Sequence, residues 1–460
     1  MSGSLHDVKN EMWMKAVVIG VVLLLAGFVA YGVFTVGVGD AKHHDYEVAK
    51  DEYEAAHHAK TIAEEEFYLA QSRWVNDGEP TEGHTWDEYV AAVSALDSAK
   101  AVDEEAHHDE IDAHLSYLTW TTLGKTLMVM MIFYSGFYIV AGFFNSIQPE
   151  EEHHHDHGDH EEHHGSASPI LMAAGILLFM FGFSDFVTTS KAWLGLDYEA
   201  QIGGFMLAAV GTIILIIGIG NWWREDMKGS PEQVAVSDPF TGNDIRKAGM
   251  WIFLISEMMV FASFFSSYLR MRTEWCTQWA LDAGTCTEQE FAEFGVTTAS
   301  DLLRHDVMTL LPGAINTFAL IISSYTIVLA LKTAKDTNWK PSDNALMAKL
   351  FPTRKKTIRN YLLLTLGLGS LFIVLKLIEW SHLIAEGLTI DTQAGSIFYV
   401  ATGAHGLHVF IGLLVMLFMI FKADSVGYDE KNGQGIEYFG LYWHFVDLAW
   451  VAIFPAFYLY

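Results

Sequence analysis

Residues 398–412 read FYVATGAHGLHVFIG, an apolar segment that carries two histidines, His405 and His408. The segment lies within an apolar run at about residues 395–421 that contains no Asp, Glu, Lys or Arg. A helix of roughly 20 apolar residues is long enough to cross a bilayer, and ionisable groups inside such a helix are costly to keep there. The segment therefore predicts a transmembrane helix whose two histidines are candidates for function.

Eight further apolar runs of similar length are spread along the 460 residues, of which 51% are hydrophobic and 18% charged. They cover about residues 13–38, 118–144, 169–189, 201–223, 247–271, 311–333, 360–384 and 437–459. The run at 13–38 is too long for the core of a signal peptide and indicates a retained anchor. We therefore expect an all-α membrane protein with nine spans.

The formal net charge of the chain is −29, and the acidic residues are concentrated outside the apolar runs, at 40–112 and 150–162. This balance, without any basic patch, argues against nucleic-acid binding. Solvated helix faces that keep the protein soluble outside the lipid explain the acidity most simply. Attraction of a basic partner protein is the alternative.

Lys and Arg are unevenly distributed among the predicted loops, and their bias towards the cytoplasm predicts the orientation. The loop after the sixth span contains Lys332, Lys335, Lys340, Lys349, Arg354, Lys355, Lys356 and Arg359, whereas the loop at 382–394 has no Lys or Arg. We therefore expect the N-terminus in the cytoplasm and the C-terminus outside, in the plasma (inner) membrane of a prokaryote. Arg270 and Arg272 fall on the outer side against this trend.

Two cysteines, Cys276 and Cys286, share one polar loop that this orientation places outside the cell. Because disulfides persist in that compartment, the pair is a candidate disulfide, with two free thiols as the alternative. The sequence contains no CxxC or CxxCH motif. This argues against an iron–sulfur centre or a covalently attached haem.

The chain divides into an N-terminal membrane region at 1–148, a linker at 149–168 and a C-terminal region at 169–460. The linker is rich in His and Glu and has no apolar periodicity, so we expect a flexible tether. A His-rich tract can also bind a divalent metal, but this one specifies no fixed geometry.

An outer segment at 41–115 connects the first two spans and is helical by pattern. Its first arm has an apolar 3,4 spacing, interrupted by Lys60, that is typical of a heptad seam. Residues 76–80, NDGEP, form a strong helix breaker, and a second apolar stripe follows. We predict an antiparallel helical hairpin continuous with the two spans. A broken hairpin lying on the membrane and partial disorder are the alternatives.

Ionisable side chains within four predicted spans are the next candidates for function, because such groups are rare in lipid. They are Glu257 in the fifth span, Glu379 in the seventh, His405 and His408 in the eighth, and His444 and Asp447 in the ninth.

Five stretches of the C-terminal region resemble cytochrome c oxidase subunit III, of the haem-copper oxidase subunit III family. The ATG-x-HGLHV core within 398–412 resembles the sixth helix of that family, and YWHFVD at 442–447, with Trp450, resembles its last helix. The other three are the segment at 246–265 with its ISE motif, NWWRE at 221–225, and 311–316. Residues 169–460 thus resemble seven consecutive helices in order, whereas residues 1–165 match no part of that subunit. A fused small oxidase subunit is one interpretation of the extension.

The resemblance implies an accessory subunit of a proton-translocating terminal oxidase, with no catalytic residue, metal or redox centre of its own. Haem and copper would lie in partner subunits, and this chain would pack with subunits I and II. It would bind phospholipid in a cleft between its first two helices and the other five, and would support proton uptake. A quinol oxidase, a nitric-oxide-reductase accessory subunit and, from another class, a membrane transporter are the alternatives. A basic cytochrome c or a respiratory supercomplex neighbour could dock on the acidic hairpin.

The polar residues inside the spans have structural interpretations beside their functional ones. Glu257 is expected to be a neutral or paired carboxyl, hydrogen-bonded to His408 or to the backbone, and a proton-handling or lipid-contacting group is the alternative. Glu379 receives the same interpretation. His405 and His408 lie three apart on one helix and cannot bracket one haem iron.

Two further groups of residues are candidates: one polar pair in the ninth span and one aromatic and basic cluster at the end of the fourth. His444 and Asp447 are three residues apart and predict a polar clamp between helices. Trp222, Trp223 and Arg224 end the fourth span. Tryptophan is common at membrane interfaces, and an arginine beside it is well placed for a lipid phosphate.

Overall fold

The computed structural model describes most of the chain. The described residues are 5–79, 81–146, 166–193, 199–228, 234–236, 238–274, 281, 284, 287, 307–341, 345–390, 393–430 and 432–459. The predicted disulfide between Cys276 and Cys286 and nearly all of the His-rich linker lie outside them.

The N-terminal extension is built from two very long helices. Helix α1 (Leu5–Ala30) continues through a π-helical segment (Tyr31–Gly39) into α2 (Asp40–Asn76) without a break. After a turn, α3 (His84–Ser146) runs back for 63 residues. At 1.5 Å per residue, α2 alone spans about 55 Å. The predicted helical hairpin, continuous with the first two spans, is therefore present.

The hairpin is closed by a seam of small residues, aromatic rings and one ionic contact. Ala56, Ala63 and Ala70 of α2 are buried against α3. Lys60, the polar interruption of the seam, donates to Asp103 of α3 across 2.8 Å. The Asp103 side chain is only 12% exposed, so the interruption is matched by a carboxylate on the opposite arm.

The aromatic side chains of the hairpin pack against one another. Trp74 stacks on Tyr89 with ring centroids 4.5 Å apart, and Tyr46 stacks on His114 at 4.5 Å. Tyr53 lies 4.8 Å from His107. Aromatic pairs of this kind stabilise beyond the area they bury. The aromatic content of the segment is therefore explained by the interior of the hairpin.

The membrane-spanning parts of α1 and α3 pack closely through small residues. A Cβ at Gly142 of α3 would lie 2.3 Å from the Cβ of Ala16, and one at Gly124 would lie 2.3 Å from the Thr35 hydroxyl. Small residues let helix backbones approach where the hydrophobic effect cannot drive association. The two helices therefore form one tightly packed pair.

Among the described residues, seven long helices follow, with one short helix between the fourth and fifth of them. They are α4 (Ser168–Trp193), α5 (Ile202–Lys228), α6 (Ile245–Glu274), α7 (Val307–Lys335), the short α8 (Ala345–Leu350), α9 (Arg354–Ala385), α10 (Gln393–Ser425) and α11 (Gln434–Phe454), which ends in a π-helical turn (Pro455–Leu459). Within the described ranges, nine helices are long and apolar enough to cross a membrane. The same ranges contain no β-strand, only one isolated bridge, so the predicted all-α membrane fold is confirmed.

The main hydrophobic core lies where α7, α9, α10 and α11 meet. Trp443 and Trp450 of α11 are 1% and 0% exposed, and Phe372 of α9 is fully buried against Trp450 and against His405 of α10. Other helices keep large apolar side chains on the outside, such as Phe181 of α4 at 73% and Met259 of α6 at 70% exposed. In a membrane protein such faces contact lipid, which satisfies apolar surface without burial.

A carboxylate at the start of α11 ties three helices together at the end of the bundle opposite the hairpin. Glu437 accepts from Lys247 of α6 at 2.6 Å and from Lys335 of α7. No sequence pattern signals this contact, because the three residues lie on helices that are far apart along the chain.

Candidate functional site

The intramembrane candidates fall into two groups, of which the first joins α6 to α10. His408 Nε2 lies 3.1 Å from Glu257 Oε2, and the two side chains are 16% and 20% exposed. This is the contact predicted from the sequence. The Phe261 ring packs edge-on against the imidazole, and Tyr442 donates to the His408 carbonyl. The pair therefore sits on a shielded flank of α6 rather than deep in the core.

The hydrogen bonds of His408 fix where a proton must lie. Its Nδ1 is 2.7 Å from the Ala404 carbonyl, which can only accept, so Nδ1 carries a hydrogen. A hydrogen bond between His408 Nε2 and Glu257 Oε2 then requires one proton between these two atoms. The pair is either a neutral acid beside a neutral imidazole or a carboxylate beside an imidazolium. Both forms have no net charge, which is the state that lipid favours.

The second group lies within the core and contains a lysine that the sequence reasoning missed. Lys376 Nζ donates to Glu379 Oε1 at 2.7 Å and also to the Tyr458 oxygen, while the Tyr458 hydroxyl donates to the same carboxylate oxygen. Lys376 and Glu379 are each 3% exposed, and Tyr458 is fully buried. The signal was available, since a Lys and a Glu three apart inside an apolar span share a helix face.

Aromatic rings surround the Lys376 ammonium group. Its nitrogen lies 5.0 Å from the ring centre of Phe398, 5.2 Å from that of Trp450 and 4.9 Å from that of Tyr458. Such contacts attract a cation more strongly when it is desolvated. Together with Glu379 they explain how a lysine can remain inside the bundle.

His405 is fully buried next to this second group. Its Nε2 lies 3.0 Å from the Val446 carbonyl of α11 and therefore donates to it. The ring packs edge-on against Phe372 and lies 5.1 Å from the Trp450 ring. Its Nδ1 has no partner among the described residues. His405 thus joins α10 to α11.

Comparison with known proteins identifies the family of the C-terminal part of the chain. Residues 315–460 match the family model described as cytochrome c oxidase subunit III. The matched segment runs from α7 to the end of the chain and contains Lys376, Glu379, His405, His408 and Tyr458. The C-terminal part of the chain is a haem-copper oxidase subunit III domain. The family resemblance recognised in the sequence is therefore confirmed.

Individual relatives are similar over longer stretches. The chain is 27% identical over 300 residues to the heme-copper oxidase subunit I+III of Aeropyrum pernix, an alignment that covers 64% of this chain and 30% of that protein. It is 28% identical over 218 residues to a probable quinol oxidase subunit 3 of Staphylococcus epidermidis, which covers 47% of this chain and 89% of that protein. The corresponding protein of Staphylococcus aureus is 26% identical over 218 residues. The chain thus spans less than a third of the Aeropyrum protein and most of the staphylococcal ones.

The polar clamp between helices predicted at His444 and Asp447, on the last helix, stays a prediction. Asp447 is 8% exposed, and its Oδ1 has no hydrogen-bond partner among the described residues. No hydrogen bond joins Asp447 to His444. The interhelical contacts here come from Trp443 and Trp450, which donate to Ser323 and Thr317 of α7.

The aromatic pair at the end of α5 divides between two environments. Trp222 is 50% exposed, as expected for an interfacial residue. Trp223 is 7% exposed, stacks on Phe418 of α10 at 5.1 Å and packs against Phe137 of α3 at 5.4 Å. The lipid-facing interpretation of Trp223 was therefore wrong: neighbouring residues on a helix point in different directions. Lipid binding at Trp222 and Arg224 stays a prediction.

Proposed function

We propose that the chain is the accessory subunit III of a proton-translocating haem-copper terminal oxidase, in which partner subunits I and II hold the haem and copper. The observation that carries this proposal is the subunit III domain, in which His405 and His408 are both engaged in hydrogen bonds between or within helices. His405 donates to Val446, and His408 bonds to Ala404 and Glu257. Side chains used in this way hold a bundle together, which suits a subunit that stabilises a catalytic partner.

The Glu257–His408 pair supports a role in proton uptake as part of this proposal. One proton must lie between the two side chains, and both are partly exposed on the flank of α6. A group that can hold one proton near the surface of a subunit could help to keep proton delivery to a neighbouring subunit steady. We assign no relay of further groups to it.

We propose a basic cytochrome c as the electron donor, attracted by the acidic hairpin. The arms of the hairpin carry Asp51, Glu52, Glu54, Glu64, Glu65, Glu66, Asp103, Glu104, Glu105, Asp109 and Glu110. Opposite charge raises association rates by long-range steering, an effect that salt screens. Because the aromatic residues are used inside the hairpin, the charge alone supports docking. Quinol is the alternative donor, favoured by the similarity to proteins named quinol oxidase subunit 3.

Purification of the tagged chain from its native prokaryotic membrane tests the proposed function. We expect a haem-containing large subunit to copurify, together with oxygen consumption supported by reduced cytochrome c. Activity with quinol alone would assign the complex to the quinol branch. A stable complex that lacks haem and oxidase activity would refute the proposal and favour a transporter.

Two hairpin variants test the docking proposal. The first deletes residues 44–112 and closes the gap with a short Gly/Ser bridge. The second keeps the helices and replaces these Asp and Glu residues, except Asp103 of the seam, by Asn and Gln. We expect both to lower the rate of cytochrome c oxidation at low salt and to flatten its dependence on ionic strength. Unchanged salt dependence in the charge-neutralised variant would refute steering. Loss of a neighbouring subunit in the deletion variant alone would show that the hairpin is a brace.

A further inference from the structure

Helix α3 contacts two parts of the subunit III domain, helix α5 on one side and helix α10 on the other. Towards one part, Phe137 packs on Trp223 of α5, and the Phe144 ring lies against Gly220, where a Cβ would come within 2.3 Å. Towards the other, the Phe133 and Tyr138 rings pack edge-on against Phe410 and Phe421 of α10. We call the surface of α5, α9 and α10 that contacts α3 the α3 groove.

Polar contacts fix the register of α3 against α9. The Tyr134 hydroxyl lies 2.8 Å from the Ser370 hydroxyl, and Thr119 Oγ1 lies 2.8 Å from His382 Nε2. The His382 nitrogen also lies 3.1 Å from the Leu115 carbonyl. The contact at Tyr134 is more than twelve residues along α3 from those at Thr119 and Leu115. Together they fix the position of α3 along its own axis and its rotation about that axis. Interhelical hydrogen bonds of this kind stabilise membrane bundles.

The face of α3 in the groove is buried as deeply as the core of the domain. Met130 and Tyr134 are each 4% exposed and belong to the same buried cluster as Phe372 and Trp443. By contrast, Val22 of α1 is 58% exposed. The extension thus packs one side, on α3, against the domain and exposes the other side, on α1, as a lipid-facing surface would be.

We propose that α1 and α3 form a built-in companion subunit, a helix pair that binds the α3 groove as a separate membrane subunit would and takes the place that lipid would otherwise fill. This interface holds α5 against the body of the domain and sets the direction of the hairpin. The helix pair lies where the family resemblance implied a lipid cleft, and its test is independent of the proposed function because it needs no oxidase activity.

Cleavage of the folded chain tests the inference. A protease site is inserted at about residue 157 of the full-length protein, which is cut in the membrane and then solubilised with a mild detergent. We expect the C-terminal piece to stay with the tagged N-terminal piece through washing. Separation of the two pieces, under conditions in which the uncut chain stays intact, would overturn the proposal.

Matched variants locate the interface. Gly220→Leu places a side chain against Phe144, whereas the Cβ position of Gly203, on the same helix, has no atom of the described residues within 4 Å, so Gly203→Leu is the control. We expect the first to release the N-terminal piece after cleavage and the second to behave as the unmodified protein. Tyr134→Phe, which removes only a hydroxyl, serves if Gly220→Leu does not fold. It should raise the released fraction by roughly fivefold. Equal release from Gly220→Leu and Gly203→Leu, or no effect of Tyr134→Phe, would contradict the assigned contacts.

A photoreactive phospholipid distinguishes protein from lipid in the groove. In the uncut protein we expect labelling at the exposed face around Val22 and none at Met130 or Tyr134. Labelling of Tyr134 at the level of Val22 would show that lipid occupies the contact and would refute the proposal.

Discussion

Removal of one member of the Lys376–Glu379 pair should destabilise the bundle far more than removal of both. Glu379→Leu deletes the acceptor of two hydrogen bonds and leaves an ammonium group in a site that is 3% exposed. Breaking a buried ion pair in this way costs about 3–5 kcal/mol. Lys376→Met should cost a similar amount, because it leaves the carboxylate unpaired. Neutralisation of the remaining group by proton exchange limits both costs.

The double variant Lys376→Met, Glu379→Leu should regain most of this loss. Apolar side chains of similar volume often replace a buried pair at little cost, and the surrounding rings of Phe398, Trp450 and Tyr458 offer an apolar site. Because the buried Tyr458 hydroxyl then loses both hydrogen-bond partners, we expect the double variant to lie about 1–3 kcal/mol below the unmodified protein, well short of the two single losses added together. The coupling free energy between the two positions should then amount to several kcal/mol.

Denaturant titration of the purified protein in detergent, followed by tryptophan fluorescence and circular dichroism, measures these free energies. The exposed pair Lys42–Asp45 has the same spacing of three residues, with side chains 39% and 55% exposed, and provides the control. Removal of this exposed pair should cause no measurable change in the free energy of unfolding. If the effects of Lys376→Met and Glu379→Leu simply add in the double variant, the two groups are not coupled and the reasoning is refuted.

Three other changes test separate parts of the structure. Glu257→Gln keeps a donor for the facing imidazole and should preserve assembly, whereas Glu257→Ala should lower stability by about 1–3 kcal/mol; equal tolerance of both in a thermal-shift assay would argue against the hydrogen bond. Asp103→Ala leaves the lysine of the hairpin seam without its acceptor, so hydrogen exchange should rise in the middle of α2 and α3, and unchanged exchange there would contradict the assigned ion pair. Cys276 and Cys286 are predicted to form a disulfide, and two alkylated thiols found by mass spectrometry of fresh membranes without reductant would disprove it.

The hairpin shows how far periodicity alone can reach. The 3,4 spacing of its first arm and the breaker at 76–80 predicted two antiparallel helices, and the structure has α2 ending at Asn76 and α3 beginning at His84. The partner of Lys60 was not predicted, because Asp103 is one of many acids on the second arm. Only the register of the two arms selects which acid faces the lysine.

The α3 groove is a second feature that could not be predicted from the sequence. Each membrane helix of the extension is visible as an apolar run, but nothing in such a run shows which helices it will contact. Small residues, rings and single hydroxyl groups decide the contact, and they are too common to be recognised as a pattern. Trp223 illustrates the problem, since its neighbour in sequence is half exposed while Trp223 itself is buried between three helices.

The sequence by itself determined the number of spans and the family of the C-terminal domain. Each backbone polar group in lipid must be satisfied within its own helix, so length and apolarity suffice to define a span. The Glu257–His408 contact could be predicted because both are rare polar groups at the middle of their spans. The tertiary structure alone decided that Tyr458, 82 residues away along the chain, closes the Lys376–Glu379 pair, and that α3 fills the groove. Such contacts depend on how helices rotate and pack against one another, and no local pattern encodes that choice.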